Sequence, residues 1–402
     1  MCTKILIIGN GFDLANGLPT TYSDFLNFCK YASYIFEEEN LDVFNCEYAK
    51  KYLDKWAYCS FLKTILNDAF NSKTYNSDNR IITDDDNLNQ LYSLINENVW
   101  YRYFQYAFNN NIMCGNNWID LESEISLRIR ELDEYYQQIL QSSAKSSYPT
   151  IVVQYMQIHC LSSDKTLSRP CNEMEISKIN DTLLIDLNRI THALEIYMSH
   201  YISQIAIHTL IPDFKDNRFS HILSFNYTDT FSRHYHDYFE SDYDVCYVHG
   251  KAVLDATTET CNLVLGIDEY LIEEQRSVHL EYLSYKKFYQ RIIKQTDNSY
   301  SKWLDDIMEE RTDGLGRVDE FELHIYGHSL DVTDKDILQA FILNPNVQTK
   351  IYYYRKPGND NDKTDFSSKI RNLIKIIGPD ELIARTSGGS KNTIEFIAQK
   401  MT

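Results

Sequence analysis

Two patterns of apolar residues divide the chain. The first is a set of short apolar runs that stop at a glycine or a polar residue. Residues 5–8 stop at Gly9, 221–225 at Asn226, 245–248 at His249-Gly250, 262–265 at Gly266, 322–326 at Gly327 and 349–354 before Lys356-Pro-Gly358. Runs of this length bounded by turn residues predict six short strands. The second pattern, apolar residues every three or four positions, fills most of the chain between the first two runs. It predicts helices within 44–70, 88–108, 121–142, 148–158 and 179–210, with another largely helical, acidic stretch over 271–319. Thr20, Thr21, Ser23 and Asp24 offer N-caps for a helix running to about residue 39, and Pro19 fixes the chain ahead of it. The polar runs 71–80, 84–86 and 162–174 read as exposed loops.

Strands alternating with helices imply an α/β fold with a mostly parallel sheet. The expected architecture is a Rossmann-like sheet of about six strands with a large helical insertion after the first. Residues 1–26 and 216–402 then form a nucleotide-binding α/β domain, and residues 27–215 the insertion. In such sheets the ligand lies beyond the carboxyl ends of the strands. That rule gathers Gly9, Asn10, Gly11, Phe12, Asp13, Asn226, His249, Gly266, Gly327, His328 and Ser329 around one crevice, although they are far apart in sequence.

Composition narrows the function classes. The 402 residues carry a net charge of −19, from 58 acidic and 39 basic side chains. A broad nucleic-acid surface needs a basic stripe and is not expected. Hydrophobic content is 43% with no run long enough for a bilayer, and Met1-Cys-Thr-Lys4 leads straight into the first strand. The expectation is a soluble, cytoplasmic protein without membrane partners. None of the nine cysteines forms a C-x-x-C pair, so neither a zinc ribbon nor a redox dithiol is written here. H-E-x-x-H, G-x-S-x-G, G-x-x-x-x-G-K-[ST] and EF-hand patterns are absent as well, and no metal is expected.

The strand ends hold the candidate chemistry. Gly9 and Gly11 sit where a strand turns into a helix, the usual seat for a phosphate, but Leu14 occupies the place of the third glycine of the dinucleotide fingerprint. An amide at Asn226 suits a sugar hydroxyl or a water; it equally suits an Asx-turn with Thr228. His249 and His328 fall on the crevice rim, where an imidazole suits general-base work. His221 and His324, within strands, read as structural. Ser329 and the turn around it suit a ribose or phosphate. Asp120 and Glu122 are acids that open a helix beside Trp118.

Taken together, Gly9-Asn-Gly-Phe-Asp-Leu-Ala-Asn-Gly-Leu-Pro-Thr-Thr-Tyr-Ser-Asp-Phe-Leu26, Trp118-Ile-Asp-Leu-Glu122 and Ser224-Phe-Asn-Tyr-Thr-Asp229 resemble the AbiH family of bacteriophage abortive-infection proteins. This pattern is in turn similar to that of the sirtuin NAD-binding fold, above all the defence-associated sirtuin-like NAD hydrolases. Their strand-one glycine loop corresponds to Gly9-Asn-Gly11, and their Thr-x-Asn-Tyr-Asp to the stretch ending at Thr228, which puts a catalytic asparagine at Asn226. Their His-Gly corresponds to His249-Gly250, and their Gly-x-Ser-Leu with trailing aspartates to Gly327-His-Ser-Leu330 with Asp334 or Asp336. Two positions depart from the pattern: Asp13 stands where a serine is usual, and Thr228 where the aspartate is usual.

The resemblance implies NAD as substrate and cleavage of its nicotinamide N-glycosidic bond, with Asn226 and His249 catalytic. It also implies control of a toxic activity by a phage-derived trigger, a partner or homo-oligomerisation. The alternative is a non-catalytic nucleotide-binding sensor whose helical portion is the working surface. A nuclease fits the acidic balance poorly. Protein deacetylation is not implied, because no cysteine spacing builds the zinc module of the deacetylase members.

Overall fold

The computed structural model describes residues 2–37, 59–110, 112, 118–141, 147–159, 170–236, 239–267, 280–308, 320–389 and 392–400. Six strands form the main sheet: β1 (Cys2–Ile8), β2 (Phe219–Ser224), β3 (Phe239–Tyr247), β4 (Glu320–Tyr326), β5 (Val347–Tyr353) and β6 (Ile394–Ala398). Their order across the sheet is β3-β2-β1-β4-β5-β6, and every neighbouring pair is parallel. This is the doubly wound, Rossmann-like order, in which the direction of winding reverses between β1 and β4.

The continuous apolar runs of the sequence follow from burial on both faces. Side chains alternate between the two faces along each strand. Ile5, Ile7, Leu223, Leu323, Ile325 and Ile351 pack on one side with Ile337, Leu338 and Phe341 of helix Lys335–Ile342 and with Leu373 and Ile376 of helix Thr364–Ile377. Leu6, Ile8, Ile222, Tyr326 and Tyr352 pack on the other with Phe12, Phe214, Phe231 and Tyr235.

Register places the strand ends at one level. Ile8 lies opposite both Ser224 and Tyr326, and Ser224 lies opposite Tyr247. The ladder runs one step further, with Phe225 N donating to Ile8 O at 2.9 Å and Val248 N to Ser224 O at 3.0 Å. The next row is therefore Val248, Phe225 and Gly9, and His249, Asn226 and Asn10 follow these in the chain.

The chain divides into two compact units: Met1–Leu18 with Ile205–Lys251 and Gln295–Thr402, and Pro19–Gln204 with Ala252–Lys294. The sheet belongs to the first. The second is built on helices, with Glu173–Ile196 packed against Asp86–Ile95 and Val99–Asn109. The helix after Pro19 spans Tyr22–Glu37, and Thr21 caps it: Asp24 N donates to Thr21 Oγ1 and Thr21 N to Asp24 Oδ2, both at 3.1 Å.

Several expectations are corrected. Leu263, Val264 and Leu265 are buried, but residues 262–265 form no strand of the sheet. Side chains take their carbonyls instead, Gln290 Nε2 reaching Leu265 O and Lys294 Nζ reaching Leu263 O. Gly266 lies in the second unit, where a Cβ would stand 2.5 Å from Tyr285 O, and it marks no strand end of the sheet. The sixth strand is β6, Ile394-Glu-Phe-Ile-Ala398, an edge strand whose apolar residues are interrupted by Glu395 and of which only Ile394 is buried. Within 71–80 the chain begins a small hairpin, pairing Thr74–Tyr75 with Ile81–Ile82. The helix expected over 88–108 is two helices, broken where Glu97 adopts φ +53° and Asn98 caps the second. Residues 44–58, 162–169, 271–279 and 309–319 of the expected helices and loops lie outside the described residues.

Candidate functional site

At the switch point between β1 and β4 the two following loops touch, and glycine is what lets them. A Cβ on Gly9 would stand 2.7 Å from His328 Cα, one on Gly11 2.8 Å from Gly327 Cα, and one on Gly327 2.1 Å from Phe12 N. Gly327 also has φ +68°, a conformation that side chains resist. The loops are then stitched together, Gly11 N donating to Gly327 O at 2.8 Å and Gly9 N to Tyr326 O at 3.2 Å. Two of the amides expected to face a phosphate are thus committed to protein carbonyls. Phe12 turns into the aromatic core, its ring centroid 5.2 Å from that of Tyr235 and 5.7 Å from that of Phe231.

Above this floor stand two buried polar side chains. Asp13 is 1% exposed, and its Oδ2 accepts a hydrogen bond from Thr228 Oγ1 at 2.7 Å. Thr230 Oγ1 donates on to Thr228 Oγ1 at 3.0 Å. Burial raises the Asp13 pKa to about 6, against the counter-effect of the Thr228 and Thr230 hydroxyls. Its Oδ1 takes no hydrogen bond. Asn226 is 4% exposed, and neither its Oδ1 nor its Nδ2 is hydrogen-bonded. The Asx-turn with Thr228 is therefore not formed. Only the backbone of Asn226 is tied down, its N–H donating to Ser224 Oγ at 3.2 Å.

A second group joins the ends of β3 and β4. His249 Nε2 lies 3.0 Å from Asp334 Oδ1, and His328 Nε2 lies 3.5 Å from Asp334 Oδ2. Phe225 sets its ring across both imidazoles, 4.4 Å from His328 at 69° and 5.4 Å from His249 at 72°. Helix Thr364–Ile377 holds the His328 loop from behind: Lys369 Nζ donates to His328 O at 2.8 Å and Asn372 Nδ2 to Ser329 O at 2.9 Å. Lys369 is itself buried, and desolvation lowers its pKa.

Of the residues expected around the crevice, Gly9, Asn226, His249, Gly327, His328 and Ser329 are thus on loops that leave adjacent strand ends, and Asn10, Gly11 and Asp13 are on the short helix Asn10–Ala15 that follows β1. His221 and His324 are structural as expected. His221 stacks on Trp303 at 4.7 Å, and His324 bonds Tyr352 and Glu322 while burial lowers its pKa to about 4. Glu122 belongs to the second unit and pairs with Lys287 at 2.9 Å. The side chains of Trp118 and Asp120 lie outside the described residues. Sequence reasoning missed Lys369 and Asn372, which look like any polar positions of an amphipathic helix. Of Asp334 and Asp336, it is Asp334 that reaches both histidines.

The fold and these strand-end loops define a Rossmann-like α/β protein with its candidate site at the topological switch point. The family model described as Bacteriophage abortive infection AbiH matches residues 5–354, and the chain belongs to that family. No curated protein and no solved structure matches the chain. Among the described residues no helix is long and apolar enough to cross a membrane.

Proposed function

We propose that this AbiH-family protein binds NAD at the carboxyl end of the sheet and hydrolyses its nicotinamide N-glycosidic bond during abortive infection. The observation that carries the reading is Asn226, a buried amide with no hydrogen-bond partner for either polar atom among the described residues. Each such atom costs on the order of 1–3 kcal/mol unless something else hydrogen-bonds it. A ribose hydroxyl together with a water supplies the acceptor and the donor that the amide lacks.

In the proposed reaction the C1′–N bond breaks and its electron pair leaves with nicotinamide, whose ring becomes neutral. Positive charge develops on the ribose, where the buried Asp13 carboxylate opposes it. Water adds to C1′ and gives a proton to His249, so that NAD and water become ADP-ribose, nicotinamide and a proton. The loop glycines let the chain after β1 and the chain after β4 pack together as the floor of the site, and the Gly9 and Gly11 amides are spent on that packing. The two departures from the sirtuin-like pattern also support the reading, because they meet. Asp13 and Thr228 exchange carboxylate and hydroxyl across one 2.7 Å hydrogen bond and keep the pair.

The test is chromatography of NAD incubated with purified protein, alone and with extract of phage-infected cells as a source of trigger. Equal amounts of nicotinamide and ADP-ribose are expected, with loss of product in Asn226→Ala and His249→Ala variants that keep their fold. Unchanged turnover in both variants refutes the assignment. Saturable NAD binding without product would instead support the sensor.

A further inference from the structure

The strand-end group contains two buried histidines, and which of them handles protons follows from the groups each one touches. A carboxylate only accepts hydrogen bonds, so a ring nitrogen 3.0 Å from Asp334 Oδ1 must carry a hydrogen. In His249 that nitrogen is Nε2, and a neutral ring then has its lone pair on Nδ1. His328 is constrained from both sides. Leu330 N–H donates to His328 Nδ1 at 2.9 Å, which fixes the lone pair there and leaves the hydrogen on Nε2, facing Asp334 Oδ2 at 3.5 Å. Its basic nitrogen is already engaged by the backbone.

The local conformation is arranged for this. Leu330 adopts φ +58°, which a side chain takes at a cost of about 1 kcal/mol or more. That turn carries its N–H back onto the ring two residues earlier. Lys369 and Asn372 hold the two intervening carbonyls, and Phe225 packs edge-on against both rings.

We propose that Asp334 is the positioning residue of this site: it accepts the Nε2 hydrogen of His249, which makes His249, through Nδ1, the base, while the Leu330 N–H on its Nδ1 confines His328 to a supporting role. The inference takes its chemistry from the NAD-cleaving reading but its geometry from these contacts alone.

The experiment is long-range proton–nitrogen NMR on the full-length protein carrying nitrogen-15 histidine, with His249→Ala and His328→Ala used for assignment. Both rings of the wild-type protein are expected to carry a hydrogen on Nε2, with the lone pair of His328 on Nδ1. In Asp334→Asn, whose amide offers one oxygen and a competing donor, His249 is expected to lose that single tautomer. The kcat for NAD is expected to fall about 100-fold with KM within about twofold, the mark of an interaction made in the transition state. An Nδ1–H tautomer at His249 in the wild-type protein overturns the proposal. So does a folded Asp334→Asn variant with the wild-type tautomer and kcat. Should Asp334→Asn not fold, the wild-type spectrum decides alone. Should wild-type protein consume no NAD, the catalytic reading fails while the spectrum still decides the role of Asp334.

Discussion

Two buried asparagines, one in each unit, show how differently the chain uses the same side chain. Asn98, 1% exposed in the helical unit, spends every polar atom on the fold. Its Oδ1 caps a helix through Tyr101 N at 3.0 Å, and its Nδ2 donates to Leu94 O at 3.2 Å and Asp186 O at 2.8 Å. The neighbouring Asp186 does likewise, accepting from Val99 N at 2.7 Å and Arg189 at 2.8 Å. Asn226, nearly as buried, spends no side-chain atom on the fold. A buried amide that stabilises nothing is a poor structural residue and a good ligand group. The comparison separates polar residues that hold the fold from those the fold holds.

The sharpest way to break that distinction is to truncate both residues. Asn226→Ala is expected to lower NAD turnover by about 1,000-fold while leaving stability in urea unchanged or higher by up to about 1 kcal/mol. A large loss of stability would show that Asn226 is structural after all. Asp13 gives the next largest effect. Its folded pKa of about 6 exceeds the ordinary 3.8, so the fold favours the protonated acid. That contribution is full below about pH 4 and is lost as pH rises through about 6, which leaves a cost near neutrality of about 3 kcal/mol. Urea unfolding should accordingly show the wild-type protein losing about that much more stability than Asp13→Asn between those limits; parallel curves would mean that Asp13 is not desolvated. The smallest effect is expected at Asn98→Ala, a loss of about 2 kcal/mol from a missing cap and two missing hydrogen bonds, with NAD turnover per folded molecule unchanged.

The strand ends were legible because a parallel strand buried on both faces is a continuous apolar run, and the glycines that follow are demanded by steric contact. Gly9, Gly11 and Gly327 announce themselves in this way. Periodicity fails where burial has another cause. Residues 262–265 look like a strand, yet Gln290 and Lys294 take the Leu265 and Leu263 carbonyls; β6 is a strand whose short apolar stretch is interrupted by Glu395. The pairings that give the site its chemistry are less legible still. Asp13 meets Thr228 across 215 positions and His249 meets Asp334 across 85. Local pattern carries no record of such contacts; the strand-end rule pointed to Asp13 and His249 and the motif resemblance to Thr228 and Asp334, but neither pointed to their pairing.

The central claim is that Asn226 is kept unbonded for a nucleotide, and thermal unfolding with and without NAD or ADP-ribose tests it most directly. A ligand that binds only the folded protein raises its stability by RT ln(1 + [L]/Kd), about 2.7 kcal/mol at a hundredfold excess over Kd. The account predicts an upward shift of the melting temperature for wild-type protein that disappears in Asn226→Ala, even though the unliganded variant melts no lower. An equal shift in both proteins, or none in either, would contradict it.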